Sequence, residues 1–261
     1  MNQRYPFYLL CSAIFLAMIF AGCKKVDQEL KKDPLATIDD CRITNMTYLY
    51  QQDSIKVNIE YNKWGDPSRV RQSQTGTGHP DGVFWYNNKR QLTDYIGLYD
   101  DNFFEFWHQY AYDKKGRVVA DTVYFWGTVV NGAPDVYYDV AVVTYDYDQY
   151  ERIVHTAQTW YAIPDNPLHT YYTYDAVGNL VLPGVVYDNK PCMHRTSRIW
   201  MFIDRNYSLN NGYATAWHDT GLPSHYTLSS TGGQFAGYYY GALAQINYDC
   251  KGKLPKDYTA F

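Results

Sequence analysis

The sequence is short of charge, of cysteine and of long apolar runs. Asp, Glu, Lys and Arg make up only 19% of its 261 residues, with 23 Lys and Arg against 27 Asp and Glu. No basic stripe stands out, which argues against a nucleic-acid partner. The five cysteines include no Cys-x-x-Cys pair, so zinc held by thiolates is not supported. Seven histidines, at 79, 108, 155, 169, 194, 218 and 225, form no His-x-x-x-His or His-Glu-x-x-His pair. There is no Gly-x-Ser-x-Gly elbow for a serine hydrolase. Gly76-Thr77-Gly78 is followed by no Lys-Ser/Thr and so is no phosphate loop. No long segment repeats its apolar residues at the helical period. No catalytic residue, cofactor or metal ligand is therefore expected, and the set argues against an enzyme.

The N-terminus carries the longest apolar run. It extends from Phe7 to Phe20, after Arg4, and is broken only by Ser12. A bilayer takes about 17–25 residues to span, which this run does not reach. It ends in Ala21-Gly22-Cys23. That order resembles the lipobox of bacterial lipoproteins, with Phe20 where Leu is usual. The resemblance implies a signal helix removed as residues 1–22 and diacylglycerol on Cys23. Each buried lipid CH₂ contributes about 0.8 kcal/mol, so a multiply acylated Cys23 holds firmly to a membrane. Residues 24–40 are mostly polar and charged, and 23–42 reads as a flexible tether before a single domain at 43–261. Removing 1–22 takes away Arg4 and no acid, which leaves 22 basic against 27 acidic residues, or −5. Lys24, with no Asp in that place, points to the outer membrane and leaves the leaflet open. Cys41, Cys192 and Cys250 remain beyond Cys23. An envelope location permits one disulfide among them, with one thiol left over.

Aromatics are abundant where charge is scarce. There are 29 Tyr, 11 Phe and 7 Trp, or 18% of the chain. Such residues favour half-buried pleated surfaces. Ser54 to Asn62, SIKVNIEYN, sets Ile55, Val57, Ile59 and Tyr61 against Lys56, Asn58 and Glu60, a strand with one dry and one wet face. Its charged face also argues against a membrane-spanning barrel, despite the terminal Phe261. Thr122 to Val130 and Val136 to Tyr147 are apolar on both faces and read as central or stacked.

One phrase recurs: Tyr-x-Tyr-Asp-x-x-Gly-Arg/Asn-aliphatic. Its best copies are Tyr110 to Val118, Tyr172 to Leu180 and Tyr248-Asp249-x-x-Gly252-Lys253-Leu254. Tyr145 to Ile153 keeps the frame with Glu151 in place of glycine, and Phe84 to Leu92 and Trp217 to Leu222 are degenerate. Tyr61-Asn62-x-x-Gly65 reads as carrying two extra residues before Arg69-Val70. The second aromatics fall at 61, 86, 112, 147, 174, 217 and 248, a repeat with insertions. Tyr-x-Tyr puts two aromatics on one face of a strand. The acid then accepts an amide and opens a turn, and glycine takes positive φ. A type I turn with a left-handed bulge joins two antiparallel strands. The expected turn-forming residues are Asp113, Gly116, Asp175, Gly178, Asp249 and Gly252. The chain is mainly β: an antiparallel hairpin-repeat sheet or shell of roughly 12–14 strands.

The phrase is similar to the YD repeats of RHS and teneurin-type proteins. With the lipobox it resembles YD-repeat-like lipoproteins of Bacteroidetes more closely, over most of 43–258. That likeness implies an architecture and is nearly silent about chemistry.

Few residues outside the phrase suggest a site. Asp100-Asp101-Asn102 and the pair Asp146/Asp148 are acidic clusters, read as solvated turns since no EF-hand spacing is present. Trp85, Trp107, Trp126, Trp160, Trp200 and Trp217 are candidate platforms for sugar rings. Asp53-Ser54-Ile55 and Asp121-Thr122-Val123 look like the O-glycosylation sequon of Bacteroidetes envelopes. The expected function is a lipid-anchored cell-envelope protein, non-catalytic, that binds a glycan or protein partner or serves as a structural module. A surface glycan-binding protein or carbohydrate-active enzyme is the alternative. The stretch 187–216, which the phrase does not explain, is where function is sought.

Overall fold

The structure, a computed structural model, describes residues 33–50, 53–99, 102–226, 233–236, 238–240 and 242–251. Cys23, the segment 1–22, Asp100, Asp101, Gly252 and Phe261 lie outside the described residues. The strands are β1 (Cys41–Tyr50), β2 (Asp53–Tyr61), β3 (Pro67–Gln72), β4 (Asp81–Tyr86), β5 (Leu92–Leu98) and β6 (Phe103–Tyr112). They continue as β7 (Val118–Val130), β8 (Ala133–Asp135), β9 (Asp139–Tyr147), β10 (Ile153–Trp160) and β11 (Leu168–Tyr171). A 3₁₀ turn (Met193–Thr196) and one short helix, α1 (Arg198–Ile203), follow. The last strands are β12 (Ala214–Trp217), β13 (Pro223–Tyr226), β14 (Gly233–Phe235), β15 (Tyr238–Tyr240) and β16 (Ala242–Cys250).

Twelve of these strands form one antiparallel sheet, ordered β11-β10-β9-β7-β6-β5-β4-β3-β2-β1-β16, with β8 paired to β7. It is a hairpin meander in chain order, open at β11 and β16. The pairs β12–β13 and β14–β15 stand apart from it.

The repeated phrase is one backbone device used five times in succession. The side-chain oxygen of Asn62, Asn87, Asp113, Asp148 or Asp175 accepts the amides two and four residues on, at 2.8–3.0 Å. The third residue after it donates its amide back to the same residue's carbonyl. That third residue is left-handed in each case: Gly65 (φ 89°), Arg90 (63°), Gly116 (84°), Glu151 (62°) and Gly178 (106°). Asn62 therefore heads a turn of ordinary length. Asp66 and Pro67 hold the places of Arg117 and Val118, and no two-residue insertion exists. Asp249 differs, because it lies inside β16 opposite Arg42. The disulfide Cys41–Cys250 holds the ladder closed one residue beyond it.

The second tyrosine of each phrase fastens one hairpin to the one before. Its hydroxyl donates to the carbonyl that opens the previous return strand: Tyr86 to Pro67 (2.6 Å), Tyr112 to Leu92 (2.6 Å), Tyr147 to Val118 (2.7 Å) and Tyr174 to Ile153 (3.2 Å). Tyr248 donates to Pro223 in the same way, at 2.9 Å. Each such bond contributes about 0.5–1.5 kcal/mol net. Where the turn ends in arginine, the guanidinium pairs with the turn's own acid and lies over the next tyrosine. Arg117 is 5.2 Å from the Tyr147 ring and Arg152 is 4.0 Å from that of Tyr174. Asp, Gly, Arg and the second Tyr of the phrase are thereby accounted for by the frame.

The inner face of the sheet packs on the 187–216 stretch. Ser197 caps α1 by accepting the Ile199 amide at 3.2 Å, as a short polar side chain does before a helix. Trp200 meets Phe84 edge-on at 5.6 Å, and Phe202 meets Tyr110 at 5.2 Å. Arg195 is buried and donates to the carbonyls of Pro34, Ala36, Tyr207 and Ser208. Burial pulls its guanidinium down to about 10. Those bonds, with buried Ile38 and Cys41, pack part of the expected tether, at Pro34, Ala36, Ile38 and Cys41, against the domain. A second difference concerns the outer face. β7 and β9 are central in the sheet, yet Val119, Trp126, Val130 and Val142 on them are exposed. Among the described elements no second layer covers them.

Candidate functional site

A cavity of about 170 Å³ lies between the inner face and the turn after α1. Alternation on β6 directs Phe106, His108 and Tyr110 to one face, and all three line the cavity. β5 adds Tyr95, β7 adds Asp121 and Phe125, and β9 adds Tyr145. From the opposite side come Phe202, Ile203 and Arg205. Arg205 has φ 51°, a left-handed residue just past the helix end, as C-terminal caps commonly are.

The polar groups centre on Asp121, which is 1% exposed. Its Oδ2 accepts from His108 Nδ1 at 2.8 Å and from the Tyr145 hydroxyl at 3.0 Å. Its Oδ1 has no hydrogen-bond partner. The His108 ring lies between those of Tyr95 (5.7 Å, 13°) and Tyr110 (6.0 Å, 12°). Burial raises the Tyr145 and Tyr110 phenols well above their usual value, and the charge of Asp121 adds to it. Burial works against the charge on Arg205, but Tyr145, Tyr172 and Asp121 outweigh it, so the guanidinium stays protonated. The arrangement offers a hydrogen-bonded carboxylate, one cation and stacked aromatic walls.

A second polar cluster sits deeper. Cys192 Sγ is 3.3 Å from His194 Nδ1, and His194 Nε2 is 2.8 Å from Asp204 Oδ2. Asp204 also accepts the Ala236 amide at 2.9 Å. Burial would lower the His194 pKa. Cys192 and Asp204 outweigh it and raise the imidazole to about 10. Thiol, imidazole and carboxylate stand in the order of a cysteine hydrolase. All three side chains are buried, however, and the cavity above does not reach them. The cluster braces the 187–216 stretch against Ala236, just past β14. Cys192 is the thiol that the disulfide leaves over.

The tryptophans do not make one platform. Trp107 and Trp200 are fully buried. Trp85 is partly exposed and packs edge-on over Trp107 at 5.3 Å. Trp126 is partly exposed beside Phe103, Trp160 stacks on Phe125, and Trp217 lies under the Lys190 ammonium. Of the acidic clusters, Asp148 is the turn acid paired with Arg152, and Asp146 meets His155. Ser54 is exposed at the start of β2, whereas Thr122 sits mid-sheet beside buried Asp121. Among the described residues no three His, Cys, Asp or Glu side chains are grouped to hold a metal. No described helix is long and apolar enough to cross a membrane.

No family model matches the chain, and no curated protein matches it. Solved structures with some likeness include a crystal structure of TcdB2-TccC3-Cdc42, at 14% identity and a TM-score of 0.26. A Photorhabdus luminescens Tc holotoxin pore gives 15% and 0.25, and a crystal structure of TcdB2-TccC3-TEV gives 14% and 0.25. Each likeness covers 74–75% of this chain and 11% of the other. This chain thus spans about a tenth of their length, and likeness at that level carries no argument.

Proposed function

We propose that the chain is a lipid-anchored cell-envelope protein of the outer membrane, related to the YD-repeat-like lipoproteins of Bacteroidetes, whose domain binds a ligand without transforming it. The lipobox at Cys23 and the recurring phrase support the anchor and the kinship. The observation that carries the binding reading is Asp121. Asp121 and its partners His108 and Tyr145 line the cavity beside Arg205, and that polar set is what a ligand hydroxyl meets. The cavity has about the volume that holds one small ring. Asp121 and Arg205 balance in charge, so the fitting ligand is neutral and rich in hydroxyls, such as a saccharide unit. Its apolar ring faces suit the tyrosines. A glycosidase needs two carboxyl groups about 5–9.5 Å apart, and among the described residues Asp121 is the one carboxylate that lines the cavity.

Calorimetric titration with neutral mono- and disaccharides tests this reading. Saturable binding is expected, at least about tenfold weaker in His108→Gln, with an unchanged circular-dichroism spectrum. Silence across the whole panel overturns the ligand class, and equal affinity in His108→Gln overturns the site. In cells, Cys23→Ala is expected to abolish lipid labelling; labelling that persists contradicts the anchor.

A further inference from the structure

A row of three polar side chains crosses β9, β10 and β11 on the face opposite Tyr145. Asp146 and His155 are cross-strand partners, and His169 stands on the exposed edge strand β11. Asp146 Oδ2 is 2.7 Å from His155 Nδ1, and His155 Nε2 is 2.9 Å from His169 Nδ1. The two imidazoles are nearly parallel, at 11° with centroids 5.2 Å apart, and the Tyr171 ring stacks on His155 at 4.6 Å.

We propose that His155 and His169 chelate a divalent transition-metal ion, with Asp146 fixing the tautomer of His155. His155 Nδ1–H donates to the Asp146 carboxylate, which leaves the Nε2 lone pair directed at His169. Carboxylate, imidazole and metal in that order is the usual outer support of a metal-binding histidine. His169 needs only to move its proton from Nδ1 to Nε2, and no proton is lost overall. Metal–nitrogen bonds of about 2.0–2.1 Å at a tetrahedral angle place the two nitrogens about 3.4 Å apart. The rings must therefore open by about half an ångström, which an exposed edge-strand side chain allows. Two imidazoles suit zinc, copper(II) or nickel(II) in preference to calcium or magnesium. Water completes the coordination, so two protein ligands suffice and no third acidic or thiol ligand is required. The two histidines lie fourteen residues apart in sequence, a spacing that no local motif reveals.

The test is calorimetric titration of the untagged mature chain with Zn²⁺, Ni²⁺ or Cu²⁺ alone. One ion per chain is expected. His169→Ala is expected to weaken binding at least about tenfold, and Asp146→Asn about tenfold through the tautomer alone. Thermal unfolding without metal is expected to stay unchanged in His169→Ala, because the residue is exposed. Absence of saturable binding by the wild type, or binding that His169→Ala leaves intact, overturns the proposal.

Discussion

Taken above pH 10, the domain unfolds in one cooperative step as its buried tyrosines ionise. Tyr145, Tyr207 and Tyr226 are all buried, and burial raises each phenol well above 10. A group whose pKa is raised by folding contributes stability that is intact below its unfolded value and lost as pH rises past it. The unfolded phenol titrates near 10, so the loss starts there. Three phenols that ionise only on unfolding remove about 4 kcal/mol per pH unit. Tyr61, Tyr86, Tyr112, Tyr147 and Tyr174, whose phenols burial also raises, steepen the fall. Domains are stable by only about 5–15 kcal/mol, so unfolding is expected between about pH 11 and 12. A rapid pH jump followed by phenolate absorbance and far-ultraviolet circular dichroism measures it. Exposed tyrosines give a first phenolate signal with the sheet intact, and the remainder should appear only together with loss of the sheet. Complete ionisation of all the tyrosines with the sheet intact would show that the buried hydroxyls are not enclosed.

Removing the Cys41–Cys250 disulfide is expected to cost up to about 5 kcal/mol, because a cross-link over so long a loop restricts the unfolded chain strongly. The bond joins β1 to β16 across 209 residues of sequence. β16 is held to the sheet on one side by β1, while its other edge is unpaired within that sheet. The bond thus ties the last strand to the first. The check is a denaturant titration of the Cys41→Ala, Cys250→Ala double variant, with Cys192 untouched. A drop of about 3–5 kcal/mol is expected. A change below about 1 kcal/mol would mean that the β1–β16 pairing holds by itself.

The frame was legible because its signals are local. Asp113, Gly116 and Arg117 act within one turn, and Tyr112 announces the strand before it. Legibility ends where chemistry is substituted at constant geometry. Pro67 stands in the place of an aliphatic residue, so a turn of normal length looks two residues too long. Arg90 and Glu151 hold a left-handed conformation usually left to glycine, which made their units look degenerate. The site was not legible, for a different reason. His108, Asp121, Tyr145 and Arg205 come from three strands and a helix end, and only strand register and the left-handed Arg205 bring them together. The nearest signal was a polar residue at an inward position: His108 between Phe106 and Tyr110, and Asp121 in an apolar strand. Asp121 drew notice only as part of an O-glycosylation sequon. The packing of Pro34 and Ala36 was not legible because their carbonyls, which carry no side-chain signature, meet Arg195.

The central claim is that the recurring phrase builds backbone: its acid, its left-handed residue and its second tyrosine hold the turns and hairpins. Paired urea titrations of Glu151→Gly and Gly116→Ala test it most directly. Glu151 is exposed at φ 62°, with the Arg117 charge as its neighbour, and a Cβ at Gly116 would meet only the Gln91 amide at 3.5 Å, so both changes report chiefly the turn conformation. The expected results have opposite signs: a gain of about 0.5–1 kcal/mol for Glu151→Gly and a loss of about 1–2 kcal/mol for Gly116→Ala. Destabilisation by Glu151→Gly together with a neutral Gly116→Ala would contradict the account.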